Sequence, residues 1–178
     1  MKKQGFTLIE LMVVIVIMGI LAAVAVPKLF GMIAKSKASE VGPAAGTYVK
    51  LQDAYVAEQG TKVGTWKDIG YVMRNTTNFY YCDAASGDCT NETNTDSGYG
   101  KEVAVTGYVA RWAATSLATL NDCAAASTWS LATSQNGSAG GMILYTAAIE
   151  NEANCKVLTP NFERLNTASS TTSDTNGG

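Results

Sequence analysis

The chain has 178 residues, a formal net charge of −2 and 47% hydrophobic residues, which is enough material for one domain and a long helix. It contains no histidine, so the commonest general base and the commonest metal ligand are missing, and it has no basic patch for nucleic acid. Because the motifs of serine hydrolases, zinc proteases and phosphate-binding loops are also missing, we expect no enzyme and no bound cofactor or metal.

An apolar stretch near the N-terminus dominates the first part of the chain. Residues 6–26 form an uninterrupted run of 21 residues, which is long enough to span a membrane as a helix. Thr7 and Glu10 are its clearly polar residues, and Lys2 and Lys3 precede it. Because lysines stay on the cytoplasmic side, we expect the residues after this run to lie on the outer side of the membrane.

Three interpretations of the apolar stretch compete. A secretory signal peptide would use Lys2 and Lys3 as its charged start and Ala23-Val24-Ala25 as its cleavage site. A plain signal anchor would stay in the membrane. Both leave Glu10 unexplained, although a carboxylate within a membrane-spanning helix is costly and usually marks a functional site. The third interpretation therefore begins from Glu10.

Residues 5–10 read Gly-Phe-Thr-Leu-Ile-Glu directly after a very short basic leader. This segment resembles the processing site of type IV pilins and of the related type II secretion pseudopilins. The resemblance implies that a prepilin peptidase cuts between Gly5 and Phe6, that residues 1–5 are the leader, and that Phe6 becomes N-methylated. The apolar helix is then kept in the mature protein, where Glu10 sets the register of filament assembly. Pro27, which lies 22 residues into the mature chain, also matches the family.

The helix is expected in two parts, a membrane and filament-core part over residues 6–27 and an amphipathic part over residues 28–59. Gly19 and Pro27 are predicted bends, since proline lacks an N–H and clashes with the preceding turn. A second bend or short break is predicted at Gly42-Pro43.

The amphipathic part needs a surface to pack on, and Gly60 is its predicted end. If nearly all of this segment is helical, it is about 80 Å long. The apolar residues at helical spacing in its second part are Phe30, Ile33, Val41, Ala44, Tyr48, Leu51 and Tyr55, whereas Gln52 is placed off this stripe.

The remainder predicts a small head. Residues 60–101 read as a loop-rich connection that contains a short strand at 78–82 and a small cysteine loop. Residues 102–165 have the period of strands, with segments 102–112, 128–133 and 142–149 and a final edge strand at 155–158 stopped by Pro160. The polar residues 166–178 predict a flexible tail. The expected fold class is α+β, with the long helix packed on an antiparallel sheet of about four strands.

The four cysteines lie beyond residue 80, in the part expected outside the cytoplasm, and they predict disulfides. We expect the sequential pairing, Cys82 with Cys89 and Cys123 with Cys155, although four cysteines allow three pairings. Carboxylates around the small loop raise calcium as an alternative, since major pseudopilins bind calcium in a head loop. The spacing of an EF-hand is missing, so we expect no metal site there. The carboxylates are Asp83, Asp88, Glu92 and Asp96.

The resemblance implies a structural function. We expect a subunit that polymerises through its N-terminal helices into a type IV pilus, first held in the inner membrane and then displayed outside the cell. Its partners would be other copies, prepilin peptidase and the pilus assembly machinery. The alternatives are a major pseudopilin in a periplasmic pseudopilus, and an ordinary exported binding domain released by signal peptidase. Filaments of this family serve adhesion, twitching, DNA uptake or secretion.

Overall fold

A long helical segment carries a small head built on a five-stranded sheet. The computed structural model describes residues 7–59, 63–83, 101–102, 111–135 and 143–167. The helical segment consists of α1, Leu8–Ala38, and α2, Val41–Gln59. Helix α1 runs through Gly19 and Pro27 without interruption, so bends at these two residues stay predictions. The predicted end at Gly60 lies outside the described residues.

The predicted break in the helical segment is present, but it lies one turn before Pro43. Helix α1 ends at Ala38, and Ser39 and Glu40 form a turn before α2 begins. The proline ring clashes with the carbonyl of the residue four positions earlier, which is Ser39, and proline offers that carbonyl no N–H. The interruption is short, because the Ser39 N–H still donates to the Lys35 carbonyl at 3.0 Å.

The face that the helices bury starts at Ala34 and differs in part from the predicted stripe. The prediction was wrong for Phe30 and Ile33, which are 61% and 51% exposed, because the head covers only the later turns. It was also wrong for Gln52, which is completely buried. Leu51 and Tyr55 are partly buried against the core. The buried helical residues are Ala34, Ala38, Val41, Ala44, Ala45, Tyr48, Gln52 and Val56.

The sheet confirms the predicted α+β class. Its strand order is β2-β1-β3-β4-β5. Strands β1, β3, β4 and β5 pair antiparallel, and the two-residue strand β2 pairs parallel to β1. The strands span Phe79–Asp83 (β1), Lys101–Glu102 (β2), Arg111–Ser116 (β3), Thr128–Gln135 (β4) and Ile143–Ile149 (β5).

Two strand predictions need correction. The two ends of the strand predicted over 102–112 belong to two different strands, β2 and β3. Residues 103–110 lie outside the described part of the chain. The edge strand predicted over 155–158 was wrong, since this stretch is the end of helix α3, Glu152–Cys155, and a 3₁₀ helix, Lys156–Leu158. Local bonds favour the helical form here, because Lys156 bridges to Glu152 one turn earlier at 2.7 Å.

Buried hydrogen bonds attach the head to α2. The Tyr71 hydroxyl donates to the Ala44 carbonyl at 3.0 Å and accepts from the Trp112 indole N–H at 3.0 Å. Gln52 holds the segment after the helix, because its side-chain oxygen accepts from the Gly64 N–H at 3.1 Å and its amide nitrogen donates to the Gly64 carbonyl at 2.5 Å. These bonds set the head along α2 and leave most of α1 outside it.

Candidate functional site at the N-terminal helix

Helix α1 begins with a reciprocal capping arrangement between Thr7 and Glu10. Thr7 is the N-cap residue, with extended backbone angles of φ −82° and ψ 147°. The Glu10 N–H donates to the Thr7 hydroxyl at 3.4 Å, while Glu10 Oε2 accepts from the Thr7 N–H at 2.9 Å and from the Thr7 hydroxyl at 2.6 Å. Two N–H groups that a helix start leaves without partners are therefore satisfied by these two side chains.

The cap involves one of the two carboxylate oxygens of Glu10. All of the hydrogen bonds that it accepts from Thr7 go to Oε2. Within the described part of the chain, no donor reaches Oε1. Glu10 therefore stabilises its own helix and still presents one oxygen to a donor from elsewhere.

The surface around Glu10 is apolar on every side of the helix. From Leu8 to Phe30 every residue of α1 is exposed, and Ala34 and Ala38 are the residues of α1 that are buried. By length and composition this helix can cross a membrane. A bare helix of about 35 Å, at 1.5 Å per residue, carries far more apolar surface than an aqueous protein exposes in one patch. It therefore needs either lipid or other apolar helices around it.

The C-terminal part of the head is closed by a disulfide. Cys123 and Cys155 are bonded, with their Cα atoms 4.8 Å apart, which confirms this half of the predicted pairing. Cys82 also lies in a disulfide. Its predicted partner, Cys89, lies outside the described residues, so that pairing stays a prediction.

The remaining predicted site residues are spread along the chain. Gly5 and Phe6, where processing and methylation are predicted, lie outside the described residues. No group of three potential metal ligands occurs among the described residues. Of the carboxylates considered for calcium, Asp83 is described and accepts from the Trp66 N–H at 3.0 Å, whereas Asp88, Glu92 and Asp96 lie outside.

The role of Thr7 as the N-cap residue of α1 was not predicted from the sequence. A threonine three residues before a glutamate, directly ahead of an apolar run, is a known signal for a capping box. The signal is present in Thr7-Leu8-Ile9-Glu10, where Glu10 was predicted only as the residue that sets the register of filament assembly. The structure adds the local bond to that interpretation.

Comparison with known protein families identifies the same N-terminal segment. Residues 1–26 match the family described as the prokaryotic N-terminal methylation motif. No solved structure matches the chain.

Curated relatives match part of the chain as well. The type IV major pilin protein PilA of Myxococcus xanthus is 36% identical over 89 residues, which are 49% of this chain and 40% of PilA. The fimbrial protein EcpC of Eikenella corrodens is 45% identical over 58 residues, 33% of this chain and 38% of EcpC. A type IV major fimbrial protein FimA of Dichelobacter nodosus is 56% identical over 39 residues, 22% of this chain and 25% of FimA. The chain thus spans less than half the length of these relatives.

Proposed function

We propose that the chain is the structural subunit of a type IV pilus. Its match to the N-terminal methylation motif and its similarity to type IV major pilin and fimbrial proteins support this proposal. Copies of α1 bundle in the core of the filament, and the heads form its surface. The task proposed for the protein is therefore structural.

The bare helix is the observation that carries this proposal. Residues 8–30 are all exposed, so this part of the helix needs an apolar environment both before and after assembly. Before assembly, lipid of the inner membrane surrounds α1, as the apolar run and its length allow. In the filament, the α1 helices of neighbouring copies replace the lipid. The head stays attached to α2 throughout and is carried outward by assembly.

Glu10 supplies the register between copies. Cleavage after Gly5 creates an amine on Phe6, beside the capped start of the helix. The cap leaves Oε1 of Glu10 without a donor in the described residues, so this oxygen is available to the Phe6 amine of a neighbouring copy. Because an unpaired charge in an apolar bundle is strongly disfavoured, packing is restricted to the axial offset that brings the two groups together.

The pilus is favoured over a periplasmic pseudopilus by the head. Members of the pilin family usually staple the C-terminal part of the head with a disulfide, whereas major pseudopilins generally lack cysteines and use calcium. The bond between Cys123 and Cys155 corresponds to the first pattern. Prepilin peptidase and the pilus assembly machinery are the proposed partners, and the location changes from the inner membrane to the cell surface.

Mass spectrometry of sheared surface fibres tests the proposal. The fibres should consist of this chain, and the intact mass should correspond to a subunit that starts at methylated Phe6. A subunit that starts at Val26 would identify a secreted domain cleaved by signal peptidase. Fibres confined to the periplasm would identify a pseudopilus.

A further inference from the structure

Strand β5 forms one outer edge of the sheet that the described residues build. Along an antiparallel strand, backbone groups point alternately to the two neighbouring positions. The N–H groups of Tyr145 and Ala147 point away from β4, toward the side where a sixth strand would lie. An outer strand with open N–H and C=O groups is a template for pairing with another chain.

The end of the chain's described part occupies this outer side. Thr167 Oγ1 accepts from the Tyr145 N–H at 2.6 Å, and the Thr167 N–H donates to the Tyr145 carbonyl at 3.1 Å. Asn166 Oδ1 accepts from the Ala147 N–H at 2.5 Å. Two side-chain oxygens therefore take the positions that the carbonyls of an added strand would take. Asn166 and Thr167 belong to the segment that the sequence alone assigns to the tail.

Several contacts hold these two residues against β5. They follow directly after a 3₁₀ helix, Phe162–Leu165, whose Phe162 is 2% exposed and lies 6.1 Å from the Trp112 ring. Lys156 bonds Glu163 at 2.8 Å and thereby links this 3₁₀ helix to the preceding one. The segment is thus anchored in the core before it reaches the strand.

The strand that it covers is well suited to unwanted pairing. The residues of β5 that face the core are Ile143, Tyr145, Ala147 and Ile149, all buried, and this face keeps the strand extended. Outer strands that resist pairing are commonly very short or carry charged or proline residues. Strand β5 is seven residues long, and its sequence, Ile-Leu-Tyr-Thr-Ala-Ala-Ile, contains neither a charge nor a proline.

We infer that Asn166 and Thr167 form an edge cap that prevents a second copy of this chain from adding its β5 to the sheet. The cap works by side-chain acceptors, which satisfy the outward N–H groups but cannot continue a ladder. Copies with an intact cap then do not pair through β5, and α1 stays available for the contacts proposed above. The inference stands on the sheet alone and does not require that a filament forms.

Removal of the two acceptors tests the edge cap. The double variant Asn166→Leu/Thr167→Val keeps the approximate side-chain shapes and removes both oxygens. The matched control, Asn161→Leu/Thr77→Val, makes the same chemical changes at two exposed residues outside β5. Thr167→Ser keeps the hydroxyl and should behave as wild type. All four proteins are studied as the full uncleaved chain in detergent.

Two readouts are taken from each protein. At low protein concentration, where the double variant is not paired, hydrogen exchange at the Tyr145 and Ala147 amides should be about ten-fold faster than in wild type. The reason is that these amides lose their acceptors. At high concentration, spin labels placed on Thr146→Cys should report an intermolecular distance below about 20 Å in the double variant, since paired strands lie about 4.8 Å apart.

The outcomes separate the edge cap from general apolar association. Close labels in the double variant, with none in wild type, Thr167→Ser or the control, support the inference. Unchanged exchange at Tyr145 and Ala147, faster exchange without pairing, or equal pairing in the control would each overturn it. If the double variant does not unfold cooperatively, Thr167→Val alone is measured in the same way, with the Tyr145 amide as its probe.

Discussion

Thr7 and Glu10 bond each other in both directions at the start of α1, with the Thr7 hydroxyl 2.6 Å from Glu10 Oε2 and the Glu10 N–H 3.4 Å from Thr7 Oγ1. Glu10 consequently has two properties that a single substitution by leucine would remove together. One is the hydrogen bond that starts the helix, and the other is the negative charge available to a neighbouring copy.

The two properties of Glu10 can be separated by Glu10→Gln and Thr7→Val. The Glu10→Gln variant would keep the capping bonds but lose the charge. We expect both Glu10→Gln and Glu10→Leu to abolish nearly all fibres. Thr7→Val keeps the charge and loses a cap that is worth about 1 kcal/mol, so fibres should persist. Glu10→Asp should be intermediate, because it keeps the charge with a shorter reach.

Fibre yield after shearing, measured beside the amount of processed subunit in the membrane, decides between these outcomes. Processing should be unchanged in all four variants. Wild-type fibre yield from Glu10→Gln would show that the cap alone is required. Wild-type yield from Glu10→Leu would show that apolar packing sets the register without Glu10.

Gln52 is predicted to be a main determinant of head stability. In Gln52→Leu the Gly64 N–H and carbonyl both lose their partner while they remain buried, and each such group costs about 1–3 kcal/mol. The free energy of unfolding should fall accordingly, measured by urea titration of the full chain in detergent. Gln59→Leu, the same change at an exposed position of α2, is the control and should have little effect. Equal effects of the two substitutions would contradict this role.

Local periodicity was sufficient for much of the fold. The long helix and the strands near 78–82, 128–133 and 142–149 were predicted, because apolar spacing reports which face of an element is buried. The pairing of Cys123 with Cys155 was predicted as part of the sequential pairing, one of the three that four cysteines allow. The prediction failed for residues whose burial depends on a contact with another part of the chain. Gln52 reads as a surface residue of the helix, since its partner Gly64 lies 12 residues later in the sequence, beyond the end of α2.

The candidate site was likewise predicted only in part. Glu10 was identified because a charge within an apolar run is costly wherever the run lies. Its bond to Thr7 was missed, although both residues were visible in the sequence. Asn166 and Thr167 were read as tail, because a polar composition contains no information about an open strand edge elsewhere in the fold.

Loss of the disulfide between Cys123 and Cys155 should destabilise the head. The bond closes a loop with a sequence separation of 32, for which the chain-entropy model gives about 3.7 kcal/mol as an upper guide. Cys123→Ser/Cys155→Ser should therefore lower the urea midpoint without changing the amount of processed subunit. Non-reducing peptide mapping of the wild type should yield this pair and a Cys82–Cys89 peptide. Recovery of a Cys89–Cys123 peptide would contradict the assignment.

Tyr71 should make the head sensitive to high pH. Its hydroxyl lies between the Ala44 carbonyl and the Trp112 indole, and burial raises the pKa of Tyr71 to about 12, an increase that the bond from Trp112 only partly offsets. An unfolded tyrosine ionises near pH 10. Because the unfolded state loses this proton first, the stabilisation is complete below about pH 10 and is lost progressively as the pH rises toward about 12.

Urea unfolding of wild type and Tyr71→Phe at pH 7, 9, 10 and 11 measures this contribution. The highest of these pH values lies about one unit above the pKa of an unfolded tyrosine. The variant loses both hydrogen bonds, so it should be less stable at pH 7, and its stability should decline less steeply above pH 10. Burial also raises the pKa values of Tyr48, Tyr81 and Tyr145, so the variant should keep part of the decline. The difference in free energy between the two proteins should consequently shrink as the pH rises. A constant difference from pH 7 to pH 11 would show that the Tyr71 hydroxyl ionises no later in the folded head than in the unfolded chain.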